Sequence, residues 1–139
     1  MEKKSTREKQ QNLATQTCSY LLTHLDQKIT LDQLVERFGY SATYIKICFK
    51  NTYGMPVHQY VRRKRMEQAA VLLLEDCDGI LEIAGKVGFE NGSKFAKVFK
   101  NTFGMTPGKF RRIDREQAAA QLENVRCSYP ETSQGDLKQ

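Results

Sequence analysis

Apolar side chains recur along most of the chain every three or four positions, the period of helices that bury one face. Ala14, Cys18, Leu21, Leu22 and Leu25 share such a face and predict a first helix over about 12–26. Thr30-Leu31-Asp32-Gln33 then has the form of a capping box, in which Thr30 caps a helix and Gln33 reaches back to the Thr30 amide. The short helix it opens carries Leu31, Leu34, Val35 and Phe38 inward and stops at Gly39. Ser41 caps a third helix almost at once, with Ile45, Cys48 and Phe49 inward and Gly54 at its end. Pro56 suits the first turn of a long fourth helix reaching about residue 74, with Val57, Tyr60, Val61, Ala69, Leu72 and Leu73 as apolar contacts.

The pattern then starts again. Gly79 opens a helix with Glu82 in its first turn, where a carboxylate favours the helix dipole, and with Ile80, Ile83, Ala84 and Val87 on the apolar face up to Gly88. Asn91 caps another, with Phe95, Val98 and Phe99 inward. Thr106-Pro107 starts a last core helix through Phe110, which Ala118, Leu122 and Val125 extend. Part of this return is literal: Phe49-Lys50-Asn51-Thr52-Tyr53-Gly54-Met55 comes back fifty residues later as Phe99-Lys100-Asn101-Thr102-Phe103-Gly104-Met105. Upstream, Leu34–Tyr40 aligns with Ile83–Phe89 at an offset of 49, so the second copy has one extra residue, near Asn91-Gly92, in a turn. Two copies are too few for a solenoid and indicate a duplicated supersecondary module. In each copy a helix ending at glycine is followed at once by another, which is the helix-turn-helix pattern.

Charge sharpens this picture. The 139 residues carry a net charge of +6, and the pI of about 9.2 points to an anionic partner. Between Ser41 and Met66 lie Lys46, Lys50, Arg62, Arg63, Lys64 and Arg65 with no acidic residue. Between Asn91 and Ile113 lie Lys94, Lys97, Lys100, Lys109, Arg111 and Arg112, again with none. Acids gather between the two zones, at Glu75, Asp76, Asp78, Glu82 and Glu90. At 100° per residue the outer face of the third helix holds Thr43, Lys46, Ile47 and Lys50 with Tyr44 at the flank. The equivalent face in the second copy holds Ser93, Ala96, Lys97 and Lys100 with Lys94 at the flank. An α-helix fits the B-DNA major groove, and two such helices on one chain can enter successive groove segments roughly 34 Å apart.

Other chemistries lack support. Cys18, Cys48, Cys77 and Cys127 are widely spaced, no C-x-x-C occurs, and only His24 and His58 could assist a metal; no metal site and no cofactor are indicated. Cys18 and Cys48 fall at apolar helical positions and read as buried, reduced thiols. No apolar run is long enough to span a bilayer and Met1-Glu2-Lys3-Lys4 is no signal sequence, so a cytoplasmic location is expected. The histidines stand apart from any paired carboxylates or nucleophile, so no enzyme is expected.

Glu82-Ile83-Ala84, Val87-Gly88-Phe89, Phe95, Phe99-Lys100, Phe103-Gly104-Met105-Thr106-Pro107 and Phe110-Arg111-Arg112 resemble the signature of the AraC/XylS family of bacterial transcription regulators. The first copy agrees through Phe38-Gly39-Tyr40-Ser41, Phe49-Lys50, Gly54, Tyr60 and Arg65, and the resemblance covers about residues 12–112. It implies an all-α, seven-helix domain of two helix-turn-helix subdomains joined by a long helix. The expected divisions are a polar lead-in or linker over 1–11, a first subdomain over 12–55, a connecting helix over 56–74, a second subdomain over 75–113, and a helical extension with a disordered tail over 114–139.

The resemblance also implies binding to asymmetric double-stranded DNA sites, usually with activation through contact with RNA polymerase. It implies base readers at Thr43, Lys46 and Ile47 and at Gly92, Ser93, Lys94 and Lys97. Ser41, Tyr44, Lys50, Arg65, Lys100, Lys109, Arg111 and Arg112 complete the expected DNA-contact set. Ile47 stands where members often carry arginine, which replaces guanine reading by an apolar contact such as a thymine methyl. Gly92 offers a base no side chain at all. Most members carry a sensor domain ahead of this one, so a missing N-terminal sensor domain is part of the expectation. The competing class is a helical protein-interaction module for an acidic partner. It accounts for the charge but not for two short-chained faces at the same place in two helix-turn-helix units.

Overall fold

Eight helices and no strand are found among the described residues of the computed structural model, which are 5–75, 78–113 and 115–127. In chain order they are α1 (Thr6–Thr23), α2 (Leu31–Phe38), α3 (Ala42–Tyr53), α4 (Val57–Glu75), α5 (Ile80–Lys86), α6 (Gly92–Phe103), α7 (Pro107–Arg112) and α8 (Arg115–Cys127). No helix among the described residues is long and apolar enough to cross a membrane. The described residues form two units, one built from the segments up to His24 and from Ile29 to Val61, the other from Leu25–Lys28 and from Arg62 onward.

In the first unit α1 begins at Thr6, so residues 6–11 of the stretch expected as a lead-in are helical. The start is set by a capping box rather than by apolar periodicity. The Glu8 amide donates to Ser5 Oγ (3.1 Å) and the Ser5 amide to Glu8 Oε1 (3.0 Å). The predicted box at Thr30 and Gln33 forms in the same way at the head of α2. Leu13, Leu34, Ile45 and Cys48 make a buried cluster, with Tyr20, Leu31, Val35 and Phe38 packed against it. Cys18 and Cys48 are buried free thiols, and the Cys18 thiol donates to Tyr60 Oη at 3.2 Å. The side chains of Cys77 and Cys127, and the tail from residue 128, lie outside the described residues.

An aromatic triad anchors α3. The Phe49 ring lies 4.7 Å from that of Tyr53 and 5.3 Å, edge-on, from that of Tyr60, and the last two are 5.6 Å apart. The second unit repeats the arrangement fifty positions later. Phe99 is 4.6 Å from Phe103 and 5.4 Å, edge-on, from Phe110, with 5.3 Å between Phe103 and Phe110. Such pairs contribute roughly 0.5–1.5 kcal/mol each beyond the burial of their area. Helices α3 and α6 end alike as well. Gly54 (φ 79°) and Gly104 (φ 78°) take the left-handed conformation and donate to the carbonyls of Lys50 and Lys100.

The copies differ in two places. From the positive-φ glycine to the next N-cap runs Gly39-Tyr40-Ser41 in one and Gly88-Phe89-Glu90-Asn91 in the other, so the extra residue lies in the turn ahead of Asn91. And where α4 is continuous through 19 residues, its counterpart is broken at Ile113, whose ψ of 161° is extended. The expected extension is therefore a separate helix. Its Ala118, Leu122 and Val125 enter the core that holds Phe95, Phe99 and Phe110. Arg126 Nε lies 3.6 Å from Glu67 Oε1, and Arg115 Nη2 donates to the Leu74 carbonyl at 3.4 Å. Since Leu122 is 9% exposed, Leu122→Ala should lower stability by about 2–4 kcal/mol in urea denaturation. A loss near zero would exclude α8 from the core.

Candidate nucleic-acid interface

The first candidate face is the outer side of α3. Ser41 caps the helix, its Oγ accepting from the Tyr44 amide at 3.1 Å. With Ile45, Cys48 and Phe49 turned into the core, Thr43, Lys46, Ile47 and Lys50 are exposed. Tyr44 is half-buried at the flank, 5.2 Å from the Tyr40 ring, and burial, then its hydrogen bond with Cys48, push its phenol pKa up. Tyr44 is thus as much a packing residue as a surface one.

The second candidate face is the outer side of α6. Asn91 Oδ1 accepts from the amides of Ser93 (2.8 Å) and Lys94 (3.1 Å). Ser93, Lys94, Lys97 and Lys100 are exposed, while Phe95 and Phe99 are fully buried beneath them. Among the described residues no carboxylate pairs with Lys46, Lys50, Lys94, Lys97 or Lys100. These ammonium groups remain available to an external anion.

Gly92 sits at the first position of α6, and a Cβ built there would fall 2.3 Å from Leu81 Cδ2. Leu81 is 73% exposed, yet it lies off the apolar face that periodicity assigns to α5 and escapes a reading based on burial.

Two of the expected DNA-contact arginines also donate to backbone carbonyls. Arg65 Nε donates to the Leu25 carbonyl at 3.0 Å and its Nη2 to the Gln27 carbonyl at 2.7 Å. Burial lowers its pKa. Gly88, at φ 87°, lets this arrangement close up, because a Cβ there would meet the Leu25 oxygen at 2.5 Å and Arg65 Cζ at 3.0 Å. Arg111 is half-buried and its Nε donates to the Leu73 carbonyl at 3.1 Å, bracing α7 on the end of α4. Both belong to the scaffold of the second unit. Lys109 and Arg112 of α7 are exposed, behind the Thr106 cap. Of the basic run on α4, Arg62 is exposed and Lys64 lies 3.6 Å from Glu67, so that run does not act as one patch.

A family model described as a helix-turn-helix domain matches residues 34–113. The chain is similar to the F1 operon positive regulatory protein of Yersinia pestis, 38% identical over 95 residues that make up 68% of this chain and 32% of that protein. It is 34% identical over 103 residues to the probable transcription factor PqrA of Proteus vulgaris, covering 73% of this chain and 84% of that protein. Among solved structures it is similar to the C-terminal domain of the two-component response regulator yesN from Fusobacterium nucleatum. The TM-score there is 0.69 at 33% identity, covering 73% of this chain and 99% of that domain. The chain spans 44% and 32% of the lengths of the first two curated relatives it matches.

The two roles for arginine separate by experiment. Arg65→Ala should lower stability by about 1–3 kcal/mol, since it removes two hydrogen bonds from a charged donor. Arg112→Ala should stay within about 0.5 kcal/mol of the parent. Urea denaturation of both variants checks this, and equal stabilities would remove Arg65 from the scaffold.

Proposed function

The chain belongs to the AraC-type helix-turn-helix family of DNA-binding transcription regulators, and from that premise we propose that α3 and α6 are its two recognition helices, reading successive major-groove segments of one duplex. The observation that carries this is the pair of equivalent outer faces: short side chains and exposed lysines on the same side of each helix, with Lys50 and Lys100 at matching positions. Docked with their N-terminal halves toward the base edges, the helices would meet bases through Thr43, Lys46 and Ile47 and through Ser93, Lys94 and Lys97. A lysine can donate to guanine O6 and N7, and Ile47 can touch a thymine methyl. Lys50, Lys100, Lys109 and Arg112 supply charge for phosphates, which fixes register without reading sequence.

Arg65 and Arg111 act indirectly, by holding the second unit's backbone. The regulatory mode we assign is positive, through contact with RNA polymerase, in a cytoplasmic setting and within a regulator that can carry a sensor domain. The Yersinia relative's description as a positive regulatory protein supports that mode.

DNA binding should weaken steeply with salt, with a log–log slope of roughly −0.9 per phosphate neutralised. A labelled-duplex shift assay across a salt series measures it. No shift at low salt would favour an acidic protein partner instead. Lys97→Ala should change the preferred base at one position, whereas Arg112→Ala should weaken all sequences alike. Binding-site selection with each variant tests the difference, and wild-type preferences from both would remove Lys97 from the readers.

A further inference from the structure

The second recognition helix lacks a side chain at its first position, and the structure fills that volume from another helix. Leu81 Cδ2 lies 2.3 Å from the point where a Cβ on Gly92 would stand, and Leu81 Cγ lies 3.6 Å from it. Single exposed leucines are common on protein surfaces. Leu81 is set apart by its 73% exposure, the highest among the exposed large apolar residues described, and by its seat over the first turn of α6.

The duplication supplies an internal control. Aligned by their apolar faces, Leu81 corresponds to Asp32 of the first copy. Aligned by their N-caps, Gly92 corresponds to Ala42. The first copy thus pairs a polar residue on the leading helix with a side chain on the recognition helix. The second pairs a large apolar residue with none. In the second copy the isobutyl group of Leu81 stands at the first residue of α6, next in sequence to Ser93 and Lys94.

We infer that Leu81 is a specificity-determining residue, supplying from α5 the base-contacting side chain that Gly92 lacks. The chemistry that recognises an aliphatic group in the major groove is the C5-methyl of thymine. This rests on the DNA-binding reading above. Its consequence is that the leading helix of the second unit takes part in readout as well as support.

The test is binding-site selection on random duplexes with the full chain, using the parent, Leu81→Ala, Leu81→Met and Lys97→Ala, with melting temperatures measured in parallel. The parent should enrich thymine at a position adjoining the one that Lys97→Ala alters. Leu81→Ala should reduce that preference by roughly five- to tenfold, leaving other positions and the melting temperature unchanged. Leu81→Met should retain it. A Leu81→Ala motif identical to the parent's overturns the assignment while leaving the DNA-binding reading intact. Uniform weakening at every position with a lowered melting temperature also overturns it, because that marks a structural role. A parent that enriches no motif overturns both readings together.

Discussion

Everything on the candidate interface depends on how an aromatic ring near the middle of α3 and of α6 is held from behind. Phe49 and Phe99 are fully buried, each flanked by a second ring one helical turn on and met edge-on by a third from the following helix. Burying those rings leaves the opposite side of a 12-residue helix no choice but solvent. The lysines are outside because the phenylalanines are inside. This is why the seven-residue phrase is kept so nearly intact between copies: Tyr53 and Phe103 differ by a hydroxyl, but both supply the same ring.

Legibility followed the range of the interaction. Caps and glycine stops are local, so Thr30 with Gln33, Ser41, Gly54, Asn91 and Gly104 were readable from their neighbours. The start of α1 has a local signal too, since Ser5 and Glu8 have capping-box spacing, but residues 6–11 carry no apolar rhythm to accompany it. The break at Ile113 was not readable, because Ala118, Leu122 and Val125 continue a helical period across it. The candidate faces of α3 and α6 emerged from periodicity, with every lysine assigned to them exposed.

Long-range polar contacts were the part hidden from the sequence. Arg65 sits in a basic run and Arg111 in a family-like motif, so both resembled free cations. Their partners are backbone carbonyls 40 and 38 positions away, which carry no residue signature. Leu81 was hidden for the opposite reason. Apolar periodicity marks residues that become buried, whereas Leu81 stays exposed and stands in the space of a residue that has no side chain.

The separate aromatic cores bear on how the molecule fails. Because Phe49 and Phe99 are packed by different sets of rings, a lesion that loosens one need not loosen the other. A chain damaged in one ring set would keep the other helix's lysines turned outward.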